Sequence, residues 1–372
     1  MQICVVGGGN IGTVLLGVLG RQKGSVVSLL TSRPGAWGHT VYVEDTEKCT
    51  TYMGKVRMVT DNPEKILPEA DVVFVTLPSN VVARKFCAYA HLLKPGAAVG
   101  FIPGTGGVEF YCQSLLEKGC KVFGLQRVPY IARVKEYGKS VACLSTKPQL
   151  QVAAIPSDWT PKGCALLEEL LKIPCKGLAN YLTVTLTPSN PVLHTARLYG
   201  LFHAYQAGKG WEAPIGFYDQ WDNFSSQILL RCDQELQNIC KAFDGIDLSG
   251  VVPLRKHYEA DSVQAMTDKI KSIQSFQGIQ APMILHDGKW IPDLDSRYFE
   301  EDFPYGLCIL KSFALLARLQ TPCMDKLLLW YQALKRVAFF KNGQFTGEGL
   351  KHLPLPQNNG ISTKKDVYAF YC

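Results

Sequence analysis

The sequence predicts an α/β domain over residues 1–186 followed by an all-helical domain over residues 187–372. Three observations carry this expectation. Short apolar runs rich in valine, among them Val26–Leu30, Ala70–Pro78 and Ala97–Ile102, alternate with helical patterns through the first half. The earliest such run, Gln2–Val6, ends in glycines. After Thr187 the apolar spacing turns helical and stays so nearly to the end. At 372 residues the chain is also long for one core, which favours two domains.

Composition excludes several classes. Hydrophobic residues at 47% with 19% charged describe an ordinary soluble globular protein. The longest apolar runs, such as Ala70–Leu77 and Phe313–Leu316, are too short to span a bilayer, so no membrane partner is expected. The N-terminus passes straight into a strand and glycines, without the basic region or cleavage site of a secretory signal. Thirteen cysteines lack CxxC pairs or metal spacing, which points to reduced thiols, a cytoplasmic location and no metal. The net charge of +7 is dispersed and accompanies no nucleic-acid motif. It suits a protein that binds anionic cofactors and carboxylate substrates.

Gly7-Gly8-Gly9-Asn10-Ile11-Gly12 reads G-x-G-x-x-G, with a strand before it and a helical pattern through Leu19 after it. That context predicts a Rossmann-type dinucleotide-binding domain. Gly7 permits the tight turn, Gly9 lets the backbone approach a pyrophosphate, and Gly12 lets helix and strand pack closely. The helix that opens at Asn10 and Ile11 attracts the phosphates with its N-terminus. At the end of Val26–Leu30, where a ribose-binding Asp or Glu is expected, the chain reads Thr31-Ser32-Arg33. Ser32 and Arg33 suit a 2′-phosphate, so the cofactor is NAD(P)H with a lean towards NADPH; alternatively Arg33 stacks on adenine or faces solvent. Pro78, at the end of the strand Ala70–Pro78, joins the expected cofactor-facing set, and a helix over Asn80–Leu92 follows. Ala97–Ile102 ends in the turn Pro103–Gly107, placed to meet the nicotinamide half. Val122–Leu125 leads into Gln126–Arg133, which suits a substrate-facing loop or, equally, an ordinary solvated one. Ser140–Ser145 and Gln151–Ile155 continue a sheet, and Pro161–Leu171 is a helix.

At the junction, Thr187–Gly200 reads TPSNPVLHTARLYG. Ser189 or Asn190 serves as N-cap and Pro191 as first helical residue, which places His194 one turn inside, on the face of Asn190. Helical spacing covers Asn190–Tyr205, Asp219–Ala242, His257–Ser275, Tyr305–Leu319 and Met324–Phe339. Between the third and fourth lies a loop carrying Arg297 and Asp302, with Asp302 also readable as an N-cap before Phe303-Pro304. Leu353–Cys372 is expected to pack loosely on the surface.

With these motifs placed, the chain resembles the octopine/opine dehydrogenase family over nearly its whole length. The resemblance rests on CVVGGGNIG, VPYIARVKEYGKSV, HTARLYG, WEAPIGFYDQ, RYFEEDFPYGL, DKLLLW and FTGEGL in that order. It implies an active site in the cleft between a Rossmann domain and a helical domain. The reaction it implies is NAD(P)H-dependent reductive condensation of an amino acid with an α-keto acid such as pyruvate, and its reverse. The H-x-A and R-Y-x-x-E-D patterns then assign His194 as general acid/base, Asp302 as the carboxylate fixing its tautomer, and Arg297 as clamp for the keto-acid carboxylate. Asn190 and Gln126 join the substrate-binding set. Where octopine dehydrogenase carries a glutamate that meets the guanidinium of arginine, this chain has Gln126, beside Arg127. A neutral amino acid or taurine-like amine is therefore expected in place of arginine. The resemblance implies a monomer or homodimer that acts on small molecules, with no nucleic-acid or membrane partner. The alternatives are a two-domain 2-keto acid reductase of the ketopantoate reductase type, which places a catalytic lysine in its helical domain, or a catalytically silent NADP(H)-binding sensor.

Overall fold

The computed structural model describes residues 1–82, 86–188 and 190–372. They form two compact units, Met1–Thr185 with Tyr371 and Leu186–Phe370 with Cys372.

In the first unit the strands are, in chain order, β1 (Gln2–Val6), β2 (Val26–Leu30), β3 (Thr40–Asp45), β4 (Thr50–Lys55), β5 (Met58–Thr60) and β6 (Val72–Val75). They continue with β7 (Ala98–Phe101), β8 (Lys121–Leu125), β9 (Tyr130–Glu136), β10 (Ser140–Thr146), β11 (Leu150–Ile155) and β12 (Cys175–Gly177). The main sheet has eight strands in the order β12-β11-β8-β7-β6-β1-β2-β5. All its neighbours pair parallel except β11 with β8, which run antiparallel. Val72–Val75 and residues 3–6 are buried throughout, as expected of central parallel strands covered on both faces. Helix α1 (Asn10–Gly20) returns the chain from β1 to β2, and α2 (Thr160–Leu171) packs beside β11 and β12.

Four further strands form a second sheet in the order β4-β3-β10-β9. Ser140–Thr146 does not continue the main sheet; it pairs parallel with β3 and antiparallel with β9. Nor is Gln126–Arg133 one loop, because β9 begins at Tyr130 and buries Tyr130 and Ala132 while Arg133 faces out. That alternation is the strand period, obscured in the sequence by Arg133 and Lys135. The sheet sits against α1, and glycines make the approach possible: a Cβ on Gly54 would collide with the Gly17 backbone. Of the helix expected over Asn80–Leu92, residues 83–85 lie outside the described ones. Ser79–Val81 forms a helical turn and Cys87–Leu92 a 3-10 stretch.

Among its described residues the second unit is helical apart from two short hairpins, Met283–His286 with Lys289–Pro292 and Phe340–Lys341 with Gln344–Phe345. Helix α3 (Asn190–Phe202) packs along α4 (Asn223–Ala242), whose first turn is capped by Asp222 accepting from the Ser225 amide. Ser189, the alternative cap for α3, lies outside the described residues. The expected helix His257–Ser275 is two. Leu254–Tyr258 ends at Glu259 with φ 53°, and α5 (Val263–Ser272) restarts where the Ser262 hydroxyl accepts from the Ala265 amide. A local cap thus overrides a continuous apolar pattern. Next come α6 (Arg297–Asp302), a π turn (Phe303–Leu307), α7 (Cys308–Leu316) and α8 (Pro322–Lys335).

The closing segment is not loosely attached. It ends in α9 (Lys364–Tyr371), opened by a Thr363/Asp366 capping box, and Leu353, Leu355, Ile361 and Val367 are all buried. Among the described residues no helix is long and apolar enough to cross a membrane.

Candidate active site

At the carboxyl end of β1 the glycine turn has the conformation a dinucleotide requires. Gly7 has φ 105°, in the region open to glycine, and its amide donates to the Leu30 carbonyl at 3.0 Å. The Thr76 hydroxyl lies 3.1 Å from the carbonyls of Val6 and Gly7, fixing the turn from the next strand. A Cβ on Gly12 would collide with the Gly7 carbonyl oxygen, whereas one on Gly9 would meet nothing within 4 Å. The open space at Gly9 lies at the N-terminus of α1, whose first turn carries no acidic residue. This cradle fits the pyrophosphate of a nicotinamide dinucleotide.

The remaining expected cofactor residues are placed as follows. Asn10 is exposed, and its Oδ1 accepts from the Val134 amide at 2.8 Å, while Ile11 is half-buried. Ser32 and Arg33 are exposed beyond β2, with the Arg33 guanidinium 5.1 Å from the centre of the Tyr137 ring. Pro78 is half-buried and precedes the turn Ser79–Val81. The second glycine turn has a packing role that the sequence concealed. The Tyr181 hydroxyl donates to the Gly104 carbonyl at 3.1 Å, and a Cβ on Gly104 would strike the Gly124 backbone.

In the second unit, His194 sits on the first turns of α3, 4% exposed. Its Nδ1 lies 2.8 Å from Asp302 Oδ2, and its Nε2 lies 2.9 Å from the Tyr218 hydroxyl. A carboxylate only accepts, so Nδ1 carries the hydrogen, and the neutral ring accepts the Tyr218 O–H at Nε2. Asp302 is not a helix cap. It is the last residue of α6, and the chain runs on through the π turn. That turn is held by Phe303 stacked on Tyr331 at 4.3 Å and by Gly306 against Pro191, where a Cβ would collide. The carboxylate and the start of the histidine helix are thus packed against each other. π turns of this kind often re-aim a functional side chain. Aromatic rings close around the imidazole: Tyr298 at 4.7 Å, Phe217 at 5.6 Å and Tyr218 at 6.4 Å between centroids.

Arg197, one turn beyond His194, is fully buried and organises the loop that carries Phe217 and Tyr218. Its Nε donates to the Phe217 carbonyl at 2.7 Å, and Nη2 donates to the carbonyls of Gly216 at 3.2 Å and Gln220 at 2.5 Å. Nη1 donates to Asp222 Oδ2 at 3.3 Å and the Ser225 hydroxyl at 3.2 Å. Burial pulls the guanidinium down to about 10, against the pull of Asp222, so it remains charged at neutral pH. Neither Arg197 nor Tyr218 was singled out from sequence. They lie within HTARLYG and GFYD, but their spacing carries no periodic signal.

The other expected substrate residues have the following surroundings, each within its own unit. Arg297 opens α6 with its side chain 61% exposed, and its Nε is 3.9 Å from Glu301. Asn190 is exposed, one turn before His194. Gln126 belongs to the first unit, where it is buried and its amide donates to the Gln151 carbonyl at 3.0 Å. A buried lysine does occur in the helical unit. However, Lys311 Nζ is held by Asp325 at 2.6 Å and by the Thr321 hydroxyl at 2.8 Å, in an ion pair of its own.

Comparison with known proteins follows the same division. Residues 177–335 match the family described as NAD/NADP octopine/nopaline dehydrogenase, alpha-helical domain. Tauropine dehydrogenase of Arabella iricolor is 29% identical over 98% of this chain and 99% of its own length. Octopine dehydrogenase of Pecten maximus is 28% identical over 98% of this chain and 97% of its own. A solved structure of octopine dehydrogenase with NADH and L-arginine superposes with a TM-score of 0.85 at 26% identity, covering 99% of this chain and 97% of that one.

Proposed function

We propose that this chain belongs to the octopine/opine dehydrogenase family and is an NAD(P)H-dependent oxidoreductase acting on CH–NH bonds, which joins an amino acid or similar amine to an α-keto acid. The observation that carries the reading is the buried Asp302–His194 pair in the helical unit of a chain whose other unit bears a dinucleotide turn.

The amine adds to the keto carbon to give a carbinolamine, which loses water to form an imine. A nicotinamide, when bound, would supply the hydride that reduces the imine carbon. His194 handles the protons: the carbinolamine hydroxyl must leave as water, and the amine must be deprotonated to attack. Asp302 keeps Nδ1 protonated and stabilises the ring whenever it becomes doubly protonated, as a triad carboxylate does. Arg297 pairs with the keto-acid carboxylate in bidentate fashion; its exposure supports a role towards an incoming anion. Asn190 supports the same end of the substrate as a polar neighbour one helical turn from His194. Gly7, Gly9, Asn10, Ile11 and Gly12 would hold the cofactor pyrophosphate, with Pro78 in the same cofactor-facing set.

The finer choices are also part of the proposal. Ser32 and Arg33, exposed where no acid meets a ribose 2′-hydroxyl, favour NADPH, although the octopine dehydrogenase neighbour was solved with NADH. Gln126 is neutral, which favours an uncharged amine side chain or taurine over arginine, and a relative named for tauropine supports that choice. The protein's many free thiols agree with a reducing, cytoplasmic setting.

The test is a product screen: NADH or NADPH, pyruvate or 2-oxoglutarate, and a panel of amines, read by mass spectrometry. The reading expects a secondary-amine dicarboxylate or its sulfonate analogue. Consumption of reduced cofactor by keto acid alone, with no amine incorporated, would overturn it. A clear preference for arginine would overturn the amine assignment alone.

A further inference from the structure

Tyr218 places a hydroxyl on the one imidazole nitrogen through which His194 can exchange protons. Nδ1 is committed to Asp302 at 2.8 Å. Any proton that the ring gives to a substrate must leave from Nε2, and there the Tyr218 hydroxyl stands at 2.9 Å. Either the substrate displaces the phenol, or the phenol lies on the proton's route.

The surroundings oppose displacement. The Tyr218 ring stacks on Phe276 at 4.2 Å with planes 22° apart and meets Phe217 edge-on at 4.8 Å. The backbone on both sides is tied to a fully buried side chain, since Arg197 holds the carbonyls of Gly216, Phe217 and Gln220. Tyr218 itself is 4% exposed. Swinging the phenol aside would break the stack and strain a loop fixed at three carbonyls, whereas keeping it in place requires only that it pass a proton on.

We propose that Tyr218 is the terminal member of an Asp302–His194–Tyr218 relay, its hydroxyl exchanging protons with the substrate oxygen or nitrogen while His194 exchanges with Tyr218. The inference rests on the opine dehydrogenase reading above. In the dehydrating direction, doubly protonated His194 releases the Nε2 hydrogen to the Tyr218 oxygen as Tyr218 releases its own to the departing carbinolamine hydroxyl. One proton enters the phenol as one leaves, water departs, and neither a phenolate nor a net charge accumulates on Tyr218. In amine deprotonation both transfers run backwards, and the imidazole ends protonated. The phenol hydroxyl adds reach to the imidazole without changing the group that sets the protonation state.

The experiment compares the wild-type enzyme with Tyr218→Phe, which keeps the stacking ring and removes only the oxygen. Thermal melting and NADH fluorescence titration establish that the variant is folded and binds cofactor. With the best amine and keto acid, kcat is expected to fall by roughly 100-fold or more, the scale of a lost acid–base group, with a smaller change in KM. The proton inventory in mixed H2O and D2O should be bowed for the wild type and straight for the variant, because two protons in flight become one. Replacing Tyr218 with 3-fluorotyrosine, a more acidic phenol, should keep the bowed inventory and shift the pH–rate profile. A Tyr218→Phe enzyme with kcat within a few-fold of wild type and an unchanged inventory would show that Nε2 reaches the substrate directly, overturning the relay. A wild-type enzyme that forms no product with any amine would instead overturn the functional reading beneath it.

Discussion

Replacing Arg197 by lysine keeps the charge and removes the geometry, so it measures what the buried guanidinium does for the loop above His194. In the structure five donor contacts leave that side chain: three to backbone carbonyls, one to Asp222 and one to Ser225. An ammonium has three hydrogens at one point rather than a planar fork, so at least two of those acceptors lose their partner. A fully buried acceptor left unpaired, such as the Phe217 carbonyl or the Ser225 hydroxyl, costs about 1–3 kcal/mol. The part-buried Gly216, Gln220 and Asp222 oxygens cost less because water reaches them, so two lost partners set an upper bound of about 6 kcal/mol. Against a native stability of about 5–15 kcal/mol that is a large fraction for the second unit. Burial already depresses the arginine, and it acts in the same direction on a lysine, which further weakens the substitute's hold on Asp222. Urea unfolding followed by tryptophan fluorescence is the assay, because the Trp221 ring lies 5.5 Å from the Arg197 guanidinium and reports its neighbourhood. The midpoint should move to lower urea, and kcat should fall as the Tyr218 hydroxyl loses its fixed position. A variant within ~0.5 kcal/mol of wild type would refute the reasoning, since that is the scatter of ordinary surface substitutions.

Three further outcomes are expected. His194→Ala should abolish turnover while NADH titration shows nearly unchanged affinity, because the glycine turn belongs to the other unit; turnover within a few-fold of wild type would remove His194 from acid–base chemistry. Gly12→Ala places a methyl against the Gly7 carbonyl oxygen, an overpacking of about 1–3 kcal/mol, and should weaken NADH binding in the same titration. Glu109 is buried beside the Thr185 hydroxyl, and burial pushes its carboxyl up from 4.5 to about 7. The folded first unit therefore holds that proton more tightly than the unfolded chain, and the resulting stability, present in full below pH 4.5, is lost as pH rises through about 7. The loss is about 3 kcal/mol, so Glu109→Gln should be the more stable protein at pH 8 and should flatten the decline between pH 5 and 8 in urea titrations.

Much of this was legible because it is local. The glycine spacing at Gly7–Gly12 announces a turn with positive φ at the first glycine, a demand that three or four neighbouring residues impose on themselves. Valine-rich runs mark Val26–Leu30 and Val72–Val75 as strands, and the 3.6 period marks α3, α4, α7 and α8. Errors arose where a local signal was weak or had two meanings. Tyr130–Glu136 has the strand period but carries charges on its outer face. A long apolar pattern over His257–Ser275 hid the break that Ser262 makes with a single hydrogen bond.

By itself, the sequence determined the dinucleotide turn, the change from α/β to helical architecture and the presence of a histidine early in α3. The family resemblance pointed to Asp302 as the partner of that histidine, 108 residues away, and the folded chain has that carboxylate on Nδ1; only the tertiary structure decided that Tyr218, 24 residues away, meets Nε2. It also decided that β3 and β4 leave the main sheet to pair with β9 and β10, and that Arg197 turns inward as a clamp rather than outward as a surface charge. The physical reason is common to all of these. A turn or helix is set by dihedral preferences of adjacent residues, whereas a hydrogen bond between distant side chains depends on how intervening loops travel. Those loops are held by irregular contacts, such as three carbonyls on one guanidinium or a glycine against a proline, that leave no period in the chain.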